Sequence, residues 1–241
     1  MKSFVIMSKD SNKSISEEAL LLEARQLVDN FVSSLPKLIQ ASALFLKSTI
    51  PFRALSLREA LLHRISSIAI TAVELFEQKK NIPAIILTRS VVESFALFYA
   101  FYEELVRFID IKNIGALDDF LKCSLVSARN DDELPSPKNI LNWIDRIDKQ
   151  IPEFRSNYDI LCEYTHPNYS GTLGAFGDID YKKLKIRLGL KQDIPARTVG
   201  ISNLLASLLG FKIYYNETAG LMNQLDSYFE HSDSCNIDSD D

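Results

Sequence analysis

From Ile82 to Tyr102 the chain reads IPAIILTRSVVESFALFYAFY, an apolar run interrupted only by Arg89 and Glu93, four residues apart. At a rise of about 1.5 Å per residue such a run is long enough to cross a bilayer, but an Arg and a Glu near its middle would each cost roughly 2.5–3.5 kcal/mol there. The pattern therefore predicts the buried central helix of a soluble bundle. Residues four apart on a helix are neighbours, so Arg89 and Glu93 are expected to neutralise each other in an interior polar site.

A helical period runs through nearly all of the remaining chain. Ser16 followed by Glu17 and Glu18 reads as an N-cap with acids in the first turn, opening a helix through Val32. Pro36 breaks it before a second apolar piece that reaches Leu46. Ser56 is expected to cap a helix over Leu57–Gln78, with Leu57, Leu61, Ile65, Ile68, Ala72 and Leu75 on its apolar side. Glu59, His63, Ser67, Thr71 and Glu74 line a wet side of the same helix. Asn81 and Pro83 start the central helix, which continues to Asp110. Shorter helices are expected over Ala116–Ala128, Pro137–Gln150 and Glu153–Thr165, and a long one over Pro195–Phe229. Gly200, Gly210 and Gly220 in that last helix each predict a bend or a close helix contact.

Between Asn168 and Leu190 the period shortens, and TLGAF and KLKIRLG show the alternation of a hairpin. The expected fold is all-α, a single-domain bundle of about seven helices over residues 15–230, with room for a small β-hairpin near 172–188. Residues 1–14 read as a flexible N-terminus. Residues 231–241, acidic and poor in apolar side chains, read as a disordered tail.

The formal charge of −5 excludes a broadly basic protein, so neither a strong nucleic-acid surface nor a polybasic membrane surface is expected. Cys123, Cys162 and Cys235 are odd in number and lack metal-ligand spacing, which points to free thiols in a cytoplasmic protein. Glu163-x-x-His166 has the spacing of one di-iron ligand pair, but neither His63 nor His231 supplies the second. Gly171-x-x-Gly174-x-x-Gly177 follows a helix rather than a strand, unlike a nucleotide-binding loop. No metal and no cofactor are expected. The aromatic stripe from Phe95 to Tyr102 reads as core.

The second constellation is NYDILCEYTHPNYSGTLGAF, from Asn157 to Phe176. Pro167 disfavours helical geometry at His166 and puts that imidazole at a helix C-terminus, where the protonated ring is favoured. A nearby carboxylate such as Glu93 would strengthen the effect. The bland alternative is that His166 and Asn168 cap the helix and staple the glycine-rich loop.

LTRSVVESF and YDILCEYTHPNYSG together resemble a family of prokaryotic helical proteins in which an Arg-x-x-x-Glu helix precedes a Tyr-x-x-Leu helix ending in a His-Pro or His-x-Ser turn. The resemblance covers Leu57 to Phe229 and implies that Arg89, Glu93, Tyr158, His166 and Asn168 converge. More distantly the chain is similar to the HEPN helical proteins, many of them ribonucleases of toxin or antiphage systems. Their cleaving signature places an Arg four to six residues before a His. Here Arg155 lies eleven before His166, and Arg64 follows His63.

Two functional readings follow. In the preferred one, Arg89, Glu93 and His166 form a buried polar lock in an interaction or regulatory module that binds an unknown protein partner. In the alternative, His166 and Glu93 are catalytic while Arg89, Tyr158 and Asn168 bind ligand, as in an RNA-cleaving effector of bacterial defence. A homo-oligomer is compatible with either.

Overall fold

Ser16 caps the first helix, α1 (Glu17–Ser34), its hydroxyl accepting from the Ala19 N–H at 3.2 Å. The computed structural model describes residues 16–39, 48–127, 135–136 and 139–231. The N-terminus over 1–14, most of the piece from Pro36 to Leu46 and the tail beyond His231 lie outside them, and residues 35–39 are not helical. α2 (Thr49–Glu77) starts about two turns earlier than Ser56 suggests. Ser48 is its N-cap, accepting from Ile50 N–H. Ile50, Ala54, Leu57 and Leu61 carry the buried stripe straight through, and the Ser56 hydroxyl donates back to the Phe52 carbonyl inside the helix.

α3 (Asn81–Ile111) is followed by α4 (Ile114–Val126), α5 (Leu141–Asp148) and α6 (Phe154–Thr165). Next come a single turn α7 (Leu173–Phe176), a hairpin of β1 (Gly177–Asp180) and β2 (Lys185–Leu188), and the long α8 (Ala196–His231). Among the described residues the architecture is an all-α bundle with one small antiparallel hairpin. TLGAF corrects the expected hairpin boundary. Gly174 N–H donates to the Tyr169 carbonyl (2.7 Å) and Phe176 N–H to that of Thr172 (2.9 Å), so the backbone curls into α7 and the ladder begins at Gly177.

α3 is the axis. It packs on α2, α6 and α8, and most of its apolar length is buried inside the bundle rather than facing outward. Phe98 meets Phe211 edge-on at 4.6 Å between ring centroids, and Phe31 meets the same ring at 5.6 Å, joining α1, α3 and α8. Two of the three α8 glycines are close contacts. A Cβ on Gly200 would lie 2.8 Å from the Phe76 ring, and one on Gly210 would lie 2.5 Å from that of Phe95. Gly220 differs: a Cβ there would meet nothing within 4 Å, so the expected close contact is absent at that position.

The helix ends at one pole are tied by Arg197. Its Nε donates to Glu17 Oε2 (2.9 Å), and its Nη1 donates to the Phe76 carbonyl (2.9 Å) and to Asn81 Oδ1 (2.7 Å). Asn81, fully buried, donates in turn to the Gln192 carbonyl at 2.6 Å. One guanidinium thus satisfies the start of α1, the end of α2 and the start of α3.

The two kinds of helical glycine should respond oppositely to the same change. Gly210→Ala is expected to lower stability by about 1–3 kcal/mol, because the Phe95 ring has no room to withdraw. Gly220→Ala is expected to raise it by up to about 1 kcal/mol through backbone entropy alone. Denaturant melts of the two variants check both signs.

Candidate functional site

Arg89 and Glu93 lie one turn apart on α3, on the side that α6 covers. Arg89 Nε stands 3.0 Å from Glu93 Oε1, and Tyr158 of α6 donates its hydroxyl to the same oxygen at 2.8 Å. Arg89 Nε also reaches the Tyr158 oxygen at 3.4 Å, with the guanidinium carbon 5.7 Å from the ring centroid. The structure therefore joins Arg89, Glu93 and Tyr158. Phe154, one turn before Tyr158, seats α6 by packing edge-on against Phe95 at 6.0 Å.

The depth of the pair differs from the sequence expectation. The side chains of Arg89 and Glu93 keep 27% and 32% of their exposure, so they lie at the edge of the α3–α6 seam rather than in the interior. The apolar face of α3 takes up the core, through Val92, Phe95 and Phe98, and the charged pair faces the seam with α6. Burial works against the Arg89 charge, but the Tyr158 hydroxyl and Glu93 carboxylate outweigh it and raise the guanidinium pKa. Burial also pushes the Tyr158 phenol well above its ordinary value; Arg89 opposes the shift and Glu93 adds to it. Among the described residues the outer nitrogens of Arg89 have no protein partner.

His166 does not join this triad. It is the C-cap of α6, exposed, with its backbone N–H donating to the Cys162 carbonyl and its side chain making no hydrogen bond or ion pair with a described residue. Eight residues of helix separate it from Tyr158, about 12 Å along the axis. Pro167 ends the helix before the imidazole can turn back toward Glu93. Asn168 is engaged locally: its Nδ2 donates to Glu163 Oε2 (2.6 Å) and its Oδ1 accepts from Gly171 N–H (3.1 Å).

The more deeply buried ion pair includes Glu59, which the sequence pattern assigns to a wet face. Arg58 and Glu59 on α2 are adjacent in sequence and bonded to each other, with side chains only 12% and 11% exposed. Tyr215 of α8 donates to both Glu59 oxygens (3.0 and 2.9 Å). Arg58 donates to the Tyr215 hydroxyl (2.9 Å), the Tyr215 carbonyl (3.1 Å) and Thr218 Oγ1 (3.0 Å), and its guanidinium lies 3.6 Å over the Tyr215 ring. Burial leads, and the Glu59 carboxylate supports, a rise of the Tyr215 pKa to about 12 against the pull of Arg58. The sequence signal that could have found this cluster is an Arg-Glu step on an otherwise apolar helix face. Its partner, Tyr215, is 156 residues away.

Glu59 and His63 do share a groove of about 300 Å³, lined also by Pro36, Lys37, Phe52 and Leu55. His63 is exposed and its Nε2–H donates to the Pro36 carbonyl at 2.9 Å, while the Glu59 oxygens are already occupied. The Glu59 carboxylate that lines the groove is thus held by Tyr215 and Arg58. Among the described residues no three His, Cys, Asp or Glu side chains gather as a metal site. Comparison of the chain with protein-family models, curated proteins and solved structures found no match.

Five of the nine tyrosines, Tyr99, Tyr102, Tyr158, Tyr214 and Tyr215, have raised pKa values, each led by burial. A folded-state value above the unfolded one of about 10 adds stability that is complete below that pH and is lost as pH rises through the folded values. Stability should therefore hold at neutral pH and fall steeply only in strong alkali, with these tyrosines ionising together with unfolding. Ultraviolet titration of tyrosinate against a melt by circular dichroism checks the coincidence. Within the triad, a double-mutant cycle between Glu93→Gln and Tyr158→Phe should give a coupling of about 0.5–1.5 kcal/mol, below that of a fully buried charge pair.

Proposed function

We propose that the chain is a helical interaction or regulatory module, in which the Arg89, Glu93 and Tyr158 triad positions α6 on α3. α6 in turn presents the glycine-rich turn and the hairpin at the bundle surface. The observation that carries this reading is the separation of His166, the one imidazole of the group, from the triad. Without an acid or base beside it, a cation hydrogen-bonded to a carboxylate and a high-pKa phenol fixes geometry rather than moves protons. The exposed apolar side chains of the hairpin supply what a binding module needs and an isolated monomer does not.

The alternative is a HEPN-like RNA-cleaving effector. What favours it is the open end of Arg89, which could meet a phosphate at the edge of the α3–α6 seam. The two readings part in a metal-free incubation of purified full-length protein with single-stranded RNA, beside His166→Ala and Glu93→Gln. The module reading expects intact RNA in all three. Cleavage by the wild type that disappears in both variants while their melting temperatures stay unchanged would overturn it in favour of the effector.

A further inference from the structure

β2 is exposed along its whole length, and only the base of the hairpin, at Gly177, is buried. The pairing Asp178↔Arg187 and Asp180↔Lys185 puts opposite charges together on one face. The pairing Ile179↔Ile186 and Gly177↔Leu188 puts aliphatic side chains on the other. That second face is covered only toward its base, where Leu173 lies against Gly177 and Ile179 is half-buried; Leu184 is 90% and Leu188 80% exposed, with Tyr181 and Ile186 also in solvent. Leu184 holds a left-handed backbone (φ 50°), a position where Gly or Asn is the ordinary choice, so nothing in the fold calls for a large apolar side chain there.

Charge adds a second, independent observation. Lys182, Lys183, Lys185, Arg187 and Lys191 fall between Tyr181 and Gln192 with no acid among them, in a chain whose net charge is −5. Ionic screening over about 8 Å at physiological salt lets the hairpin present this local excess despite the acidic whole. Composition averaged along the chain hides it.

Resting on the interaction-module reading, we propose that the hairpin docks on an anionic lipid surface. Leu184, Ile186 and Leu188 enter the boundary between headgroups and acyl chains, and Lys182 and Lys183 at the turn meet the headgroup phosphates. The mixture of side chains selects this partner. A protein interface core is depleted in Lys, whereas here cations alternate with every aliphatic residue of β2. A nucleic-acid surface would carry stacking rings where this face carries aliphatic chains, and Tyr181 is the one aromatic residue between Gly177 and Leu190.

The test is sedimentation of the full chain with vesicles of phosphatidylcholine alone or mixed with phosphatidylserine, beside L184S/L188S and K182E/K183E. Both pairs are exposed, and circular dichroism checks that the variants fold. The wild type should bind the serine-lipid vesicles, ignore the neutral ones, and weaken as salt rises; each double variant should lose about tenfold or more in affinity. No binding to the anionic vesicles overturns the proposal, as does equal binding to the neutral ones. Loss on charge reversal with none on Leu→Ser also overturns it, pointing to nucleic acid, which a parallel measurement with a single-stranded RNA oligonucleotide would show. In each of these outcomes intact RNA leaves the interaction-module reading standing, whereas His166-dependent cleavage removes that reading itself.

Discussion

The close approach of α3 and α8 is the constraint on which the other packing relations rest. Two glycines, Gly200 and Gly210, let the α8 backbone reach Phe76, Ile85 and Phe95 without an intervening side chain. That contact sets the depth at which Phe211 meets Phe98 and Phe31, and so the seat of α1. It also fixes where Tyr214 and Tyr215 leave α8: Tyr214 against Phe95, Tyr99 and Tyr102, and Tyr215 against Arg58 and Glu59. With a wider spacing between these two helices the buried ion pair would lose its phenol and leave charge in the core short of a partner, a costly state.

Two of the Arg-Glu pairs of the bundle, Arg58 with Glu59 and Arg89 with Glu93, occupy different depths and do different physical work. Arg58 and Glu59 are enclosed, saturated by Tyr215 and Thr218, and specify how α8 sits on α2. Arg89 and Glu93 stand at the edge of the α3–α6 seam with one phenol between helices, so water still reaches part of the guanidinium. Enclosure makes the first pair structural. Partial exposure leaves the second able to hold α6 and also to meet an anion.

Much of the bundle was legible because long apolar stripes and caps act locally. Ser16 and the break at Pro167 mark helix ends through their own turn, Pro83 fits the first turn of the helix that opens at Asn81, and the structure keeps all three boundaries. Ser56 misled because a serine inside a helix can bond its own i−4 carbonyl, and nothing nearby in sequence distinguishes that from capping. The coupling of Arg89 to Glu93 was legible from spacing alone, but its depth was not. Depth depends on how much of a neighbouring helix covers the seam, and α6 lies more than sixty residues away. The wet face expected for Glu59 fails for the same reason, since the enclosure of Glu59 and Arg58 is the work of Tyr215. The alternation of KLKIRLG likewise showed a strand without showing that neither of its faces is covered.

Arg197 and Thr198 hold Glu17 across roughly 180 residues of chain, so the first helix is fastened by nearly the last one made. During synthesis at about 5–20 residues per second, that fastening waits on the order of ten seconds or more after α1 appears. Over the same interval α3 has emerged with its Phe-rich face but without α8 to cover it. The order of elements in the gene therefore assigns the nascent chain a period of exposed apolar surface that the finished bundle never shows. Chaperone demand should be set by that interval rather than by the stability of the folded protein.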